Sequence, residues 1–234
     1  MTNLKEVNKT VVEEMFGAGL HFGYAKSKRH PSTAPYIFGL KNKVEIFDLE
    51  KTSKLLEEAA EFVKKISGSG KQILFVTSKR EAISIIKDAA MSVDQPYVIG
   101  RWIGGTLTNF EEIQKRVKRL EDLTDQKEKG LLGKYTKKER LLIDREIEKL
   151  EDRFGGITKM KTKPGALFVI DDKHEDIAIK EAINEGIPVV SLSNSDCNIS
   201  RIDYPIPAND SSVKSISYIT GKIVEAFKAG IKKV

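Results

Sequence analysis

One cysteine, Cys197, occurs in the 234 residues of this chain. An intrachain disulfide is therefore excluded, as is a thiolate metal cluster within one chain. The expectation is a reducing, cytoplasmic setting. Long apolar runs are missing too, so no segment reads as a membrane span. Met1 to Lys9 is polar where a secretory leader would carry an apolar stretch. The three histidines, His21, His30 and His174, form no pair at metal-ligand spacing on one helix. No serine sits in a nucleophile elbow and Cys197 has no adjacent base, so the usual patterns of covalent catalysis are missing.

Nucleotide fingerprints are missing as well. Gly68-Ser69-Gly70-Lys71 resembles the end of a phosphate loop, but Gln72 stands where a Ser or Thr would hold magnesium. It also precedes a strand, whereas the mechanism needs a following helix; a helix-to-strand turn explains it better. Gly17-Ala18-Gly19 with Gly23 follows a helix and has the wrong spacing for a dinucleotide turn. No metal and no cofactor is expected. Asp171, Asp172, Glu175 and Asp176 around His174 read as acidic partners of a helix's first turn.

What the chain has is charge. Charged residues make up 32% against 40% hydrophobic, which fits a folded, charge-rich protein. The net charge of +6 and a pI near 9.1 favour an acidic partner.

Apolar runs alternate with helical periodicity. Ile73-Leu74-Phe75-Val76-Thr77, Tyr97-Val98-Ile99, Ala166-Leu167-Phe168-Val169-Ile170 and the run from Ile187 to Leu192 read as strands buried on both faces. Helices with one apolar side lie between them: Leu55 to Ile66, Ala82 to Ala89, and a stretch with Ile177, Ala178, Ala182 and Ile183. A final helix runs from about Ser211 to Ala229. Ser78-Lys79-Arg80-Glu81 reads as a capping box. Tyr36 to Gly39 and Val44 to Phe47 read as short strands joined at Lys41-Asn42-Lys43. The fold class is α/β, a doubly wound parallel sheet covered on both sides.

Residues 110–154 are different. Phe110, Ile113, Val117 and Leu120, then Ile143, Ile147, Leu150 and Phe154, give two narrow apolar seams. Gly130 and Gly133 break the run, and Thr136-Lys137-Lys138-Glu139 is a capping box that restarts it. The expectation is a protruding antiparallel helical hairpin of coiled-coil type, inserted at 109–154 into a sheet domain of 1–108 and 155–234.

Two loops carry the candidate chemistry. Lys26, Lys28, Arg29 and His30 sit with Tyr24 between helix and prolines, offering charge, hydrogen bonds and stacking to a phosphate backbone. Arg101-Trp102-Ile103-Gly104-Gly105-Thr106-Leu107-Thr108-Asn109-Phe110 pairs a cation with a glycine turn and a helix start. Its free amides would suit a phosphate. Thr108 or Asn109 is placed to cap the helix, with Glu111 or Glu112 completing a box. The candidate RNA contacts are Lys26, Lys28, Arg29 and His30; Arg101, Thr106, Thr108 and Asn109; and Lys115 and Arg116 at the hairpin base.

These motifs resemble those of the bacterial ribosomal protein S2 family. The resemblance rests on Ala18 to Gly23, Pro35 to Gly39, Arg101 to Phe110, Thr136 to Glu139, Gly155-Gly156-Ile157, Ala166 to Val169 and Gly186 to Val189. Tyr204, Ile206-Pro207 and Asn209-Asp210 add to it, all in the family's order and spacing. It implies a flavodoxin-like sheet with a helical hairpin and a structural, non-catalytic role in the small ribosomal subunit. The implied partners are 16S rRNA and neighbouring small-subunit proteins, the large mRNA-binding protein S1 among them, with no membrane and no DNA. Three positions depart from the family's pattern. Tyr24 replaces a usual His, Asp172 a usual Pro, and Asn194-Ser195-Asp196-Cys197 stands in place of Asp-Thr-Asn-Cys. The alternatives from the residues themselves are an enzyme using a nucleotide or sugar phosphate at the sheet's carboxyl edge, and a protein-docking arm made of the hairpin.

Overall fold

The computed structural model describes residues 9–231; the polar stretch read above as no leader lies outside them up to Asn8. The chain opens with α1 (Lys9–Gly17) and strands β1 (Phe22–Ala25), β2 (Ile37–Lys41) and β3 (Val44–Phe47). These strands form a small antiparallel sheet in the order β1-β3-β2. Asn42 and Lys43 both have positive φ, 51° and 67°, which is the twist a two-residue hairpin turn needs. β1 was not expected; its four residues lie in the stretch read as loop.

The main sheet follows. Its elements are α2 (Leu49–Gly68), β4 (Ile73–Thr77), α3 (Arg80–Ser92), β5 (Tyr97–Ile99), α4 (Phe110–Glu128), α5 (Lys137–Phe154), β6 (Ala166–Ile170), α6 (Asp176–Asn184), β7 (Val189–Ser193), β8 (Tyr204–Pro207) and α7 (Val213–Gly230). Five strands lie in the order β5-β4-β6-β7-β8, and every pairing is parallel. This is the doubly wound order of the flavodoxin type, with its switch point between β4 and β6. β8 escaped the sequence reading because Pro205 and Pro207 interrupt it. It is an edge strand, where a missing backbone donor is tolerated.

Successive residues of each strand feed two cores. Ile73, Phe75, Phe168, Ile170, Val190 and Leu192 pack with Ala59, Val63, Ile86 and Ile219 on one face. Leu74, Val76, Leu167, Val169 and Val189 pack with Trp102, Ala178 and Ala182 on the other, joined by Ile113 and Val117 of α4 and Phe154 of α5. At about 25 cal/mol per Å² of apolar area, this two-sided burial is the main favourable contribution to folding.

α4 and α5 run antiparallel, as the ion pairs Arg119–Glu146 and Lys127–Asp144 show. Val117, Leu120 and Leu123 are buried on α4, whereas Phe154 alone is fully buried on α5. The capping box at Thr136 and Glu139 forms as expected. Two others do not. Asn109 sits at the α4 N-cap without a side-chain bond, and α3 is preceded by Lys79, whose side chain goes elsewhere. α6 is rotated from its expected face: Ala178, Ile179, Glu181 and Ala182 are buried, while Ile177 and Ile183 are exposed.

Candidate nucleic-acid interface

Free amides for an external anion are expected at the turn between β5 and α4. In the folded chain a carboxylate already fills them. Glu181, on α6, accepts from the indole Nε1 of Trp102 at 3.1 Å and from the amide of Gly105 at 2.8 Å through one oxygen. Its other oxygen accepts from the amides of Leu107 at 2.9 Å and Thr108 at 3.2 Å, and from the Thr108 hydroxyl at 3.3 Å. Gly105 has φ +92°, a conformation glycine reaches without strain, and this turns its N–H toward Glu181. Burial alone would raise the Glu181 pKa. The amides of Leu107 and Gly105, with Trp102 and Thr108, outweigh burial and hold it below the usual glutamate range. The cradle is real, but its anion is internal. Thr106 also faces inward and donates its hydroxyl to the Ile103 carbonyl at 2.6 Å.

Glu181 was missed because it lies far from the turn in sequence. A signal was present: it shares one helical face with Ala178 and Ala182, and a carboxylate on a buried face needs donors.

The first loop is fastened to the segment after β7. The amide of His30 donates to the Ser195 carbonyl at 2.8 Å, Thr33 donates its hydroxyl to the same carbonyl at 2.9 Å, and the amide of Tyr24 donates to the Ser195 hydroxyl at 2.9 Å. Lys26 and Lys28 are left exposed on this anchored loop. The Lys28 ammonium lies 5.5 Å from the centre of the Tyr24 ring. Tyr24, a departure from the family pattern, shares a 2.8 Å hydrogen bond with Ser211. Arg29 is different: it pairs with Glu45 at 3.1 Å, and Glu45 is only 1% exposed. His30 uses Nδ1 on Ser32 and so shapes the loop.

Arg101 is exposed and lines a cavity of about 480 Å³ with Trp102, Asp152 and Arg153. Thr108 and Asn109 are exposed at the start of α4, and Lys115 and Arg116 about two turns on. Lys115 pairs with Glu112 on the same helix.

The switch point, where a doubly wound sheet ordinarily takes its ligand, is occupied by the chain's own ions. Lys79, just after β4, reaches Asp171 after β6 at 3.1 Å and Asp210 after β8 at 2.7 Å. Asp171 also contacts His174 at 2.7 Å. Burial would raise the Asp171 pKa, but Lys79 and His174 hold it below the normal carboxylate range. Asn194 donates to Asp210 at 2.6 Å. The usual family Asp there would add one more carboxylate beside two buried ones, so the neutral Asn fits this network. Asp172, at the usual Pro position, is fully buried, and burial pushes its pKa upward. Among the described residues no three His, Cys, Asp or Glu side chains converge as metal ligands. No helix there is long and apolar enough to cross a membrane.

A doubly wound sheet closed at its switch point, with lysines standing on anchored surface loops, defines a charged α/β scaffold protein. The family profile of Ribosomal protein S2 matches residues 15–230. The chain is 43% identical over 217 residues to the small ribosomal subunit protein uS2 of Karelsulcia muelleri (strain GWSS), covering 91% of this chain and 98% of that protein. It is 39% identical over 226 residues to the small ribosomal subunit protein uS2 of Salinibacter ruber (strain DSM 13855 / M31), covering 97% of this chain and 71% of that one. The chain belongs to the ribosomal protein S2 family. It is a structural component of the small ribosomal subunit, associated with rRNA and other ribosomal proteins, and not an enzyme.

Proposed function

We propose that the chain grips 16S rRNA through exposed cations on rigid loops, while its interior anion cradle and ion network serve the fold. Lys26 and Lys28 are the principal phosphate contacts of the first loop. Arg101, Asn109, Lys115 and Arg116 add contacts beside and along the base of α4, while Thr108, whose amide and hydroxyl both donate to Glu181, holds the turn. Arg29, His30 and Thr106 act indirectly: their polar atoms hold the loop and the turn in shape. The observation that carries this reading is the fastening of the 26–30 loop to Ser195. It holds the backbone under two lysines that form no ion pair among the described residues, so ordering that backbone costs little on binding.

Residues 109–154 are proposed as a distinct hairpin unit set into the sheet domain of 1–108 and 155–234, and as a surface for neighbouring small-subunit proteins. Inclusion of the mRNA-binding protein S1 among them rests on family resemblance alone.

The test is filter binding to 16S rRNA across a salt series. Replacing Lys26 and Lys28 with Ala is expected to flatten the plot of log affinity against log salt by roughly 0.7–0.9 per lost contact. An unchanged slope would remove the loop from the interface.

A further inference from the structure

The edge of the main sheet where β4 and β6 begin carries a feature the proposed contacts do not use. A cavity of about 540 Å³ opens between the α2–β4 turn and the segment leading into β6. Lys71, Lys159, Lys161 and Lys163 line it, and no carboxylate does. Lys159 and Lys163 each pair outward, with Asp94 and Glu185. Lys71 and Lys161 make no ion pair among the described residues.

The rim is built. The Gly165 amide donates to the Gln72 carbonyl at 2.8 Å, and Gln72 reaches the Lys159 carbonyl at 3.4 Å. Met160 is fully buried, and its carbonyl accepts from Gln114 of α4 at 2.8 Å. These anchors hold Lys161 and Lys163 on either side of Thr162. The stem of Lys71 crosses Gly165 so closely that a Cβ there would lie 2.7 Å from the Lys71 Cβ. Lys161 also lines a second cavity, of about 370 Å³, where Lys115 and Lys118 stand among Glu111, Glu121 and Asp122, so the unbalanced positive charge is confined to the first cavity.

We propose that this lysine basin is a second phosphate-backbone contact for rRNA, on the opposite sheet edge from the 26–30 loop; this rests on the RNA-binding reading above. Four lysines around one basin, two of them without an ion pair among the described residues, suit a chain of phosphates better than one ion. The rim offers no aromatic or large apolar side chain on which a protein segment could anchor.

The test compares the full chain with Lys71→Gln, Lys161→Gln and Lys163→Gln combined, with the same three sites changed to Arg, and with Lys26→Gln plus Lys28→Gln. Binding to 16S rRNA is read across 50 to 200 mM salt, with circular dichroism melting to confirm an intact fold. The Gln triple is expected to flatten the salt slope by about two to three, so that its affinity falls roughly 16- to 64-fold less over that range. The Arg triple is expected to keep the slope, and the loop pair and Gln triple together to flatten it additively. A Gln triple with the wild-type slope overturns the basin and leaves the loop reading intact. A wild-type chain with no salt-dependent binding overturns both. Competition by inorganic phosphate or by oligoglutamate at concentrations equal to rRNA phosphate would also overturn the basin as an RNA contact.

Discussion

The two ends of the parallel sheet treat charge in opposite ways. At the carboxyl end, Lys79 is 15% exposed and sits between Asp171 and Asp210, so each charge meets its partner inside the protein. At the amino end, four lysines surround an open cavity and, among the described residues, two of them form ion pairs, with Asp94 and Glu185. The first arrangement sets Asp171 and Asp210 around the one lysine where the fold would ordinarily receive a nucleotide or sugar phosphate, and two carboxylates there oppose an anionic ligand. The second leaves cationic valence unmatched, which is what a polyanion requires. The same division separates the glycine turn, whose amides hold Glu181, from Lys26 and Lys28 on the first loop.

Changes at the closed end should be the most damaging. Lys79→Met strands two buried carboxylates, and unfolding in urea is expected to show a loss of about 3–5 kcal/mol. Equal stability in the variant would mean that solvent reaches the network. Glu181→Gln removes the charge from the turn's cradle, with an expected loss of about 2–3 kcal/mol. Its folded pKa lies below its unfolded value, so its contribution is present at neutral pH and disappears as pH falls through the folded pKa, beneath the usual glutamate range. The Gln variant should therefore lose stability less steeply on acidification, as a pH series of thermal melts would record. Arg29→Ala leaves Glu45 buried and unpaired, and a loss of about 1–3 kcal/mol is expected, because the arginine is partly solvated. At the open end, Lys161→Gln should change stability by less than about 0.5 kcal/mol in the same urea assay. A large effect there would erase the contrast between the two ends.

Much of the scaffold was legible because buried parallel strands are almost wholly apolar and helices repeat every three or four residues. β4, β5 and β6 fall where the runs of Ile73, Tyr97 and Ala166 place them. The Thr136 capping box is local, so its sequence was sufficient. What escaped was long-range. Glu181 and Lys79 each lie on an element whose own pattern looks ordinary, and only the fold brings them to Trp102 and Asp210. The amides of the Arg101–Phe110 run were read as free for a phosphate, and no local pattern could say that they meet Glu181 of α6 instead. Pro205 and Pro207 hid β8 because edge position, unknown before folding, decides whether proline is tolerated. The exposed loop residues carry no such internal check, and Arg29 differs from Lys28 only through Glu45, sixteen residues away.

The most direct measurement of the central claim is sedimentation of small ribosomal subunits carrying this chain through gradients of rising salt. The chain is expected to travel with the subunit at low salt and to shift progressively to the top of the gradient as salt rises. A chain found wholly in the free fraction at low salt would contradict the claim that its exposed cations hold it to rRNA.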